Sequence, residues 1–231
     1  MAIQLNGSSS TLRTPYSAAM AVTGNAVTLC AWIRPVALTG VIVGRHLAAS
    51  TTNGLYVLDV ANGVLRMGIG AAGFLGLSYS TQRASGGAIA AGQWSHVAGT
   101  YDGTTIRAFL NGAQVGSASF GNNLLTSSTP LSIGAHFNGT SASNFFNGEI
   151  EDVRKYSRAL SANELQTMHR VEGGDGIVYG LVAQYSLCGN FGSSLAASAS
   201  VQDIGPRSLS AVNIASGPSF TNNALSSGQG S

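Results

Sequence analysis

The chain has 231 residues, of which 44% are hydrophobic and 9% are charged, and its net charge is +2. This length fits one large β-sandwich better than two ordinary domains. Ser, Thr, Asn and Gly must form most of the surface, since an average domain is about 25% charged. The basic residues are scattered and include one lysine, Lys155, which excludes the basic cluster that nucleic-acid binding requires. The apolar runs stop short of the roughly 18 residues of a membrane-spanning helix, which excludes a membrane partner.

The first seven residues contain neither the basic region nor the apolar stretch of a secretory signal. We therefore expect synthesis in the cytoplasm without a signal peptide. The two cysteines, Cys30 and Cys188, lie in apolar runs and are predicted to be small buried hydrophobic residues. The sequence leaves open whether they pair as a disulfide.

The best candidate for a central strand is residues 28–33. Successive side chains of a strand point to opposite faces. Both faces are apolar here, with Leu29, Ala31 and Ile33 on one and Cys30 and Trp32 on the other. We expect this strand to be covered on both sides.

Apolar runs alternate with turn signals roughly every 8–15 residues, as is typical of an all-β sandwich. Three of the turns are Asn-Gly or Asp-Gly pairs, which supply the positive φ angles of tight hairpin turns. They are Asn62-Gly63 between residues 55–60 and 64–69, Asp102-Gly103 between 94–101 and 106–110, and Asn111-Gly112 directly after 106–110. The pattern predicts a series of antiparallel hairpins.

One helix is predicted, at residues 162–171. Ser161 is a good N-cap, and Glu164 completes a capping box with it. The apolar residues Leu165 and Met168 have the spacing of a single buried face. We expect this helix to plug an edge of the sandwich.

Residues 1–215 are predicted to form a single domain, and residues 216–231 to form a Ser-, Gly- and Asn-rich tail. The tail has too little apolar surface to offset the entropy of ordering it. Alone, this tail is expected to be disordered. We expect another copy of the chain or a partner protein to hold it in place.

Five segments resemble, in order, the motifs of one family. Residues 30–35 (CAWIRP) resemble the AWV(K/R)P strand of laminin-G-like jelly rolls, and residues 92–103 (GQWSHVAGTYDG) resemble their GxWxHVAxTYDG segment. Residues 106–112, 131–134 and 146–161 resemble the LxLYVNG, LxIG and FxGxIDEVRIYNRALS segments. The resemblance implies an all-β, two-sheet antiparallel jelly-roll sandwich of the concanavalin A-like class, with one short helix.

Two features depart from the family pattern. The stretch with which these domains usually begin is similar to residues 180–187, 203–206 and 217–218, which come last here. The resemblance therefore implies a circularly permuted strand order, which is cheap where the chain termini lie close together. Lys155 stands where the family usually has an aliphatic residue, which implies an exposed edge at that position.

The acidic run at residues 149–153 (EIEDV) is similar to the strand motif of laminarinase-type glucanases, which share this general fold. Retaining hydrolysis needs two carboxyl groups about 5–5.5 Å apart. Alternation along a strand puts positions 149, 151 and 153 on one face, but position 153 is Val. No nucleophile stands beside a base either, so we expect no catalytic residues and no enzymatic activity.

The resemblance also implies a structural calcium site. Relatives bind calcium with the Asp of a DxSGN motif and an acidic residue of an IDEV motif, which correspond here to Asp203 and to Glu151 or Asp152. Calcium takes several hard oxygen ligands, which carboxylates and loop carbonyls can supply. We expect no other cofactor.

Two functions stay open. The leading hypothesis is a non-catalytic structural or interaction module of a phage virion, either a capsid decoration protein or a fibre-associated subunit. Its partners would be other virion proteins or copies of itself, and fold-level analogy carries this hypothesis. The alternative is a lectin-like carbohydrate-binding module, with or without calcium, that attaches to a host-surface glycan. Its ligand-binding residues would be the ring-bearing Tyr79, His136 and Phe137.

Overall fold

The structure of the chain is a computed structural model. It describes residues 2–14, 24–46, 54–70, 82–125, 128–171 and 174–187, together with the backbone of three short strands at 200–201, 212–214 and 219–221. The elements in chain order are β1 (Ala2–Asn6), β2 (Leu12–Arg13), β3 (Val27–Pro35), β4 (Gly40–His46), β5 (Gly54–Ala61), β6 (Val64–Ile69), β7 (Arg83–Ala88), β8 (Ser95–Tyr101), β9 (Thr105–Leu110), β10 (Ala113–Ser119), β11 (Leu131–Ile133), β12 (His136–Phe137), β13 (Ala142–Ser143), β14 (Asn147–Tyr156), α1 (Ala162–Val171), β15 (Leu181–Tyr185), β16 (Ser200–Val201), β17 (Val212–Ile214) and β18 (Ser219–Thr221).

The described strands form two eight-stranded sheets and one small two-stranded sheet. The first sheet has the order β10-β9-β8-β3-β14-β1-β18, and β15 also pairs with β14. The second sheet has the order β16-β17-β2-β11-β4-β5-β6-β7, and β12 pairs with β13 in the small sheet. The described pairs are antiparallel. This is the two-sheet antiparallel sandwich that the sequence predicts.

The main hydrophobic core lies between the two sheets, and β3 shows how it is built. Leu29, Ala31 and Ile33 point into this core. Cys30, on the other face of the same strand, belongs to a second cluster outside the sheet. Residues 27–33 are all buried, so the prediction that this strand is covered on both sides is confirmed.

The outer side of β3 is covered by α1, which lies on the outer face of the first sheet. Its Leu165 and Met168 pack with side chains of five neighbouring strands, namely Cys30, Ala98, Phe109, Tyr156 and Leu181. The predicted helix bounds and the capping box of Ser161 and Glu164 are confirmed, with reciprocal hydrogen bonds of 2.8 and 3.3 Å. The expectation that the helix plugs an edge is wrong, because the apolar side chains that it removes from water lie in the middle of the sheet.

The three predicted hairpins are present. In the Asn62-Gly63 and Asn111-Gly112 turns both residues have positive φ angles, between 50° and 78°, as tight primed turns require. The loop between β8 and β9 is closed instead by a side chain, because Asp102 Oδ1 accepts the backbone N–H groups of Thr104 (2.9 Å) and Thr105 (2.8 Å). Within the described residues, no helix has the length and apolar character needed to cross a membrane.

A β-bulge in β14 changes which side chains face the core. The register of β14 against β3 shifts between Glu151 and Arg154, and Asp152 within this bulge has a φ of 46°. The extra residue turns the following side chains over, so Val153 lies in the main core together with Ile150. The predicted alternation along the acidic run is therefore wrong beyond Glu151.

Lys155 is buried, with 1% of its surface exposed. It pairs with Leu29 across β3, and its Nζ lies 5.6 Å from the ring centroid of Tyr56 in the second sheet. The implied exposed edge at this position is wrong, because β14 has β3 on one side and β1 and β15 on the other.

A part of the predicted tail belongs to the first sheet. Ser219–Thr221 pair with β1, with Phe220 opposite Ile3. The remaining residues of 216–231 lie outside the described residues. That a partner or a second copy holds the tail stays a prediction.

Candidate functional site

A small polar pocket lies on the outer face of the second sheet, and we call it the outer pocket. Its volume is about 130 Å³, and it is lined by Thr39, Gly40, Val41, Asp59, Val60, Arg66, His136 and Asn144. The apolar members Val41 and Val60 are buried, whereas Thr39 and Asn144 are exposed. Val60 belongs to the main core, so the apolar side chain on the pocket's own face is Val41, and the mouth is polar.

An ion pair between Asp59 and Arg66 forms one wall of the outer pocket. Leu58 and Val60 lie in the main core, so Asp59 between them points to the outer face of the sheet. The turn at Asn62-Gly63 sets the register that places Asp59 directly opposite Arg66. Arg66 Nε and Nη2 donate to the two carboxylate oxygens at 2.7 and 2.6 Å. A two-point contact of this kind fixes the orientation of both groups.

His136 supplies a buried polar group to the same pocket. It is 1% exposed, and its ring centroid lies 3.9 Å from that of His46. Burial lowers the pKa of His136 to about 4, so its imidazole is neutral at pH 7. Its Nε2 has no hydrogen-bond partner among the described residues, and a buried polar atom in that state is costly unless a ligand or water satisfies it.

Two short connections hold these groups in place. The Asn138 side chain accepts two backbone N–H groups of the β12–β13 turn, at 3.0 and 2.8 Å, and so fixes the hairpin that carries His136. The carbonyl oxygen of Asn144 accepts the backbone N–H of Val41 at 3.0 Å, which anchors the pocket mouth to β4. Hydrogen bonds to the backbone therefore fix both the hairpin that carries His136 and the mouth of the pocket.

Two of the three predicted ligand-binding residues are described, and both are buried. His136 lines the outer pocket, but it does not present an open ring face as the sequence analysis expects. Phe137 is 6% exposed, and the guanidinium carbon of Arg13 lies 4.1 Å from its ring centroid, so its ring is not available for stacking on a sugar. Tyr79 lies outside the described residues.

Of the implied calcium ligands, Asp152 is already paired with an arginine, and calcium binding stays a prediction. Arg154 is 3% exposed; its Nε and Nη2 donate to the Asp152 carboxylate at 2.6–3.0 Å, and Gln184 donates to it at 2.9 Å. A buried guanidinium at this distance neutralises Asp152 and repels a second cation. Glu151 is the neighbouring carboxylate, and Asp203 lies outside the described residues. Among described side chains, no three of His, Cys, Asp and Glu come together as a metal-binding group.

Most described carboxylates are held as partners of arginines. The pairs are Asp59–Arg66, Asp102–Arg107, Glu149–Arg34 and Glu164–Arg158, and both Asp152 and Asp175 contact Arg154. The acidic run that resembles the glucanase motif is split by this pairing, because Glu149 and Asp152 bind different arginines. Glu149 and Asp152 therefore act as charge partners of arginines.

The remaining candidates for chemistry are packed groups. His96 is 2% exposed, with its ring centroid 5.3 Å from that of Trp32, and burial lowers its pKa to about 4. Cys30 is a buried free thiol whose pKa is raised by burial. Cys188 lies outside the described residues.

Asp59 and Arg66 are not among the predicted site residues, although the sequence holds a signal for them. In a two-residue hairpin the residues three positions before and after the turn face each other, and these two positions carry opposite charges. Thr39 and Asn144 have no such signal, because their placement depends on how irregular connections pack against β4.

Comparisons with known proteins agree with this architecture. No curated protein sequence matches the chain. A candidate carbohydrate-binding protein from Bacteroides ovatus is 18% identical with a TM-score of 0.71, over 96% of this chain and 60% of that one. Domain 4 of an extracellular arabinanase from Geobacillus stearothermophilus, in complex with arabinotriose, is 22% identical with a TM-score of 0.52, over 73% and 76% of the two chains. The CBM40 of a Ruminococcus gnavus sialidase, bound to α2,3-sialyllactose, is 16% identical with a TM-score of 0.55, over 73% and 96%.

These identities show a shared fold, and the chain spans only 60% of the length of the Bacteroides ovatus protein. A laminin-G family model, described as the concanavalin A-like lectin/glucanases superfamily, matches residues 6–166. That match covers more than half of the chain and includes most strands of both sheets. The chain belongs to the concanavalin A-like lectin/glucanase superfamily.

Proposed function

We propose that the chain is a non-catalytic carbohydrate-binding module and that its outer pocket binds the sugar. Two of the structurally similar proteins were solved with a saccharide, and a third is described as a candidate carbohydrate-binding protein. These similarities support the lectin-like alternative of the sequence analysis. A role in a virion stays a prediction, because neither the fold nor the similarities bear on it.

The observation that carries the proposal is the composition of the outer pocket. Ligand sites combine apolar surface with a few well-placed polar groups, and a sugar hydroxyl both donates and accepts hydrogen bonds. Asp59 offers acceptors and Arg66 offers donors beside the apolar Val41. The volume of about 130 Å³ lies below the roughly 300–1,000 Å³ of sites for drug-sized ligands, which favours one terminal sugar residue over an enclosed oligosaccharide.

The same residues support binding without catalysis. Glycoside hydrolysis uses two carboxyl groups on either side of the scissile bond. Of the eight described residues that line the outer pocket, Asp59 alone has a carboxylate, and it is held by Arg66. The pocket can therefore orient a sugar but offers no second acid.

A glycan array with the purified chain tests this proposal. We expect the chain to bind a subset of the glycans, and Asp59→Asn to weaken that binding at least tenfold, because the amide cannot reproduce the charge-assisted contact with Arg66. Asp102→Asn is the matched control, since Asp102 also pairs with an arginine but lies on the first sheet. A chain that binds no glycan contradicts the function, and equal loss in both variants contradicts the site.

Chelation separates this proposal from a calcium-dependent lectin. Because Arg154 already neutralises Asp152, we expect EDTA to leave glycan binding and the melting temperature unchanged. Loss of binding in EDTA that calcium restores would support a calcium site built on Asp203 and contradict the calcium-independent mode.

A further inference from the structure

We infer that the outer pocket selects a neutral sugar residue over one that carries a carboxylate. The inference rests on the proposed function and adds the chemical class of the ligand. It follows from the charges, hydrogen bonds and burial of the residues that line the pocket.

The single cation among the described lining residues is already neutralised. Arg66 uses Nε and Nη2 to hold both oxygens of Asp59. A ligand carboxylate that sought the same guanidinium would approach Asp59 at short range, where two like charges repel. The pair therefore disfavours an acidic sugar, although an arginine on its own would favour one.

The pair still offers hydrogen bonds to hydroxyl groups. A carboxylate has about four acceptor positions, and Arg66 occupies one on each oxygen of Asp59. Nη1 of Arg66 is outside this contact and keeps its N–H donors. Acceptors and donors thus stand side by side, which suits neighbouring hydroxyls because each hydroxyl both donates and accepts.

The other polar groups of the pocket are neutral at pH 7. Thr39 Oγ1 accepts the backbone N–H of Asn62 at 3.1 Å, so its own hydrogen is available to a ligand. Asn144 has an uncharged amide at the exposed mouth. No described lining residue besides Arg66 could pair with a carboxylate as a cation.

His136 adds no charge to the pocket. Burial lowers the pKa of its imidazole to about 4, so the ring is neutral at pH 7. It therefore offers no cation that could attract a ligand carboxylate.

Titration calorimetry with matched sugars tests the inference. The probes are the methyl β-glycosides of glucose and galactose, and those of glucuronic and galacturonic acid, which differ from the first pair only by a carboxylate at C6. In whichever pair binds, we expect the neutral glycoside to have a dissociation constant at least tenfold lower than that of the acidic glycoside. Equal or tighter binding of the acidic member would overturn the inference but leave the proposed function standing, whereas binding of none of the four, together with an empty glycan array, would overturn the function itself.

Two variants identify the charge pair as the cause of the selectivity. Asp59→Asn leaves the charge of Arg66 uncompensated, so the neutral-to-acidic affinity ratio should fall by at least fivefold. Arg66→Gln leaves the charge of Asp59 uncompensated, so the ratio should rise. Arg107→Gln removes the corresponding arginine of the first sheet and should leave the ratio unchanged. An unchanged ratio in both pocket variants, with normal thermal unfolding, would contradict the inference.

Discussion

Several of the few charged side chains in this chain lie inside the molecule. Arg154 is 3% exposed and Glu149 is 2% exposed, and each has an oppositely charged partner, Asp175 and Arg34 respectively. Burying an ion costs several kcal/mol unless a partner and hydrogen bonds compensate. The surface therefore carries even less charge than the composition suggests.

Amine labelling tests the burial of the only lysine. Lys155 is 1% exposed, so an amine-reactive reagent should label the folded chain at its N-terminus and reach Lys155 only in denaturant, as read by mass spectrometry. Gln114→Lys places a lysine on the exposed strand β10 and should be labelled in the folded state. Labelling of Lys155 in the folded chain as fast as the introduced lysine would contradict the buried position.

Buried histidines predict a loss of stability in mild acid. Burial lowers the pKa of His96 and of His136 from 6.5 to about 4, so between these values the unfolded chain binds more protons than the folded one. The unfolding free energy must then fall as the pH drops from about 6.5 to about 4, by on the order of 3 kcal/mol for each group. Carboxylates such as Glu164, whose pKa its partner Arg158 lowers from 4.5 to about 2, contribute to acid unfolding only below about pH 4.5.

Urea unfolding at several pH values between 7 and 4.5 measures this effect. His96→Asn removes one titrating group and should flatten the slope, because its side chain cannot bind a proton in this range. A wild-type stability that is constant over this window, or that rises on acidification, would show that these histidines are not buried in their neutral form.

At the scale of elements, the turn residues and the capping box predicted the strands and the helix. They did not predict how these elements pack against one another. The Asn-Gly turns fix hairpin register through their backbone angles, so Asn62-Gly63 also predicts the Asp59–Arg66 pair of the site. The bulge at Asp152 has no comparable signal, because it reflects the fit of β14 between its neighbours. For the same reason the burial of His136 could not be read from the sequence, since it depends on the contact with His46 across two separate segments.

The free edges of the two sheets pack against each other through glycines. A Cβ added to Gly86 in β7 would overlap the carbonyl oxygen of Val115 in β10, and one added to Gly116 would overlap that of Ser85. Gly86→Ala should therefore destabilise the fold by about 2 kcal/mol or more, because the backbones must move apart. Gly24→Ala, where an added Cβ has no neighbour within 4 Å, should be neutral or slightly stabilising in the same thermal unfolding assay. Equal melting temperatures for the two variants would contradict the close approach of the edges.

The position of α1 on the outer face of the first sheet makes it a part of the core. Leu165→Ala should cost about 2–5 kcal/mol, because this side chain is fully buried between the helix and the sheet. Gln166→Ala changes the next, exposed residue and should alter the unfolding free energy by less than about 0.5 kcal/mol. A small and equal effect of both changes in urea unfolding would mean that the helix does not cover the sheet.

For the whole molecule, the two sheets have different outer faces. The first sheet is covered by α1, whereas the second carries the outer pocket, with its charge-compensated ion pair, neutral histidine and exposed mouth. On this division we base the proposal that the outer face of the second sheet is the recognition face. It also separates the stabilising ion pairs of β14 from the ion pair that we assign to ligand binding.

The most direct test is to map the bound sugar on the folded chain by ¹H–¹⁵N NMR, with the saccharide that binds most tightly on the array. We predict that the largest shift changes fall on the amides of residues 39–41, 59, 66, 136 and 144, with smaller changes on the first sheet. Changes that instead centre on the first sheet or on Tyr179, which is 81% exposed, would contradict the assignment of the outer pocket.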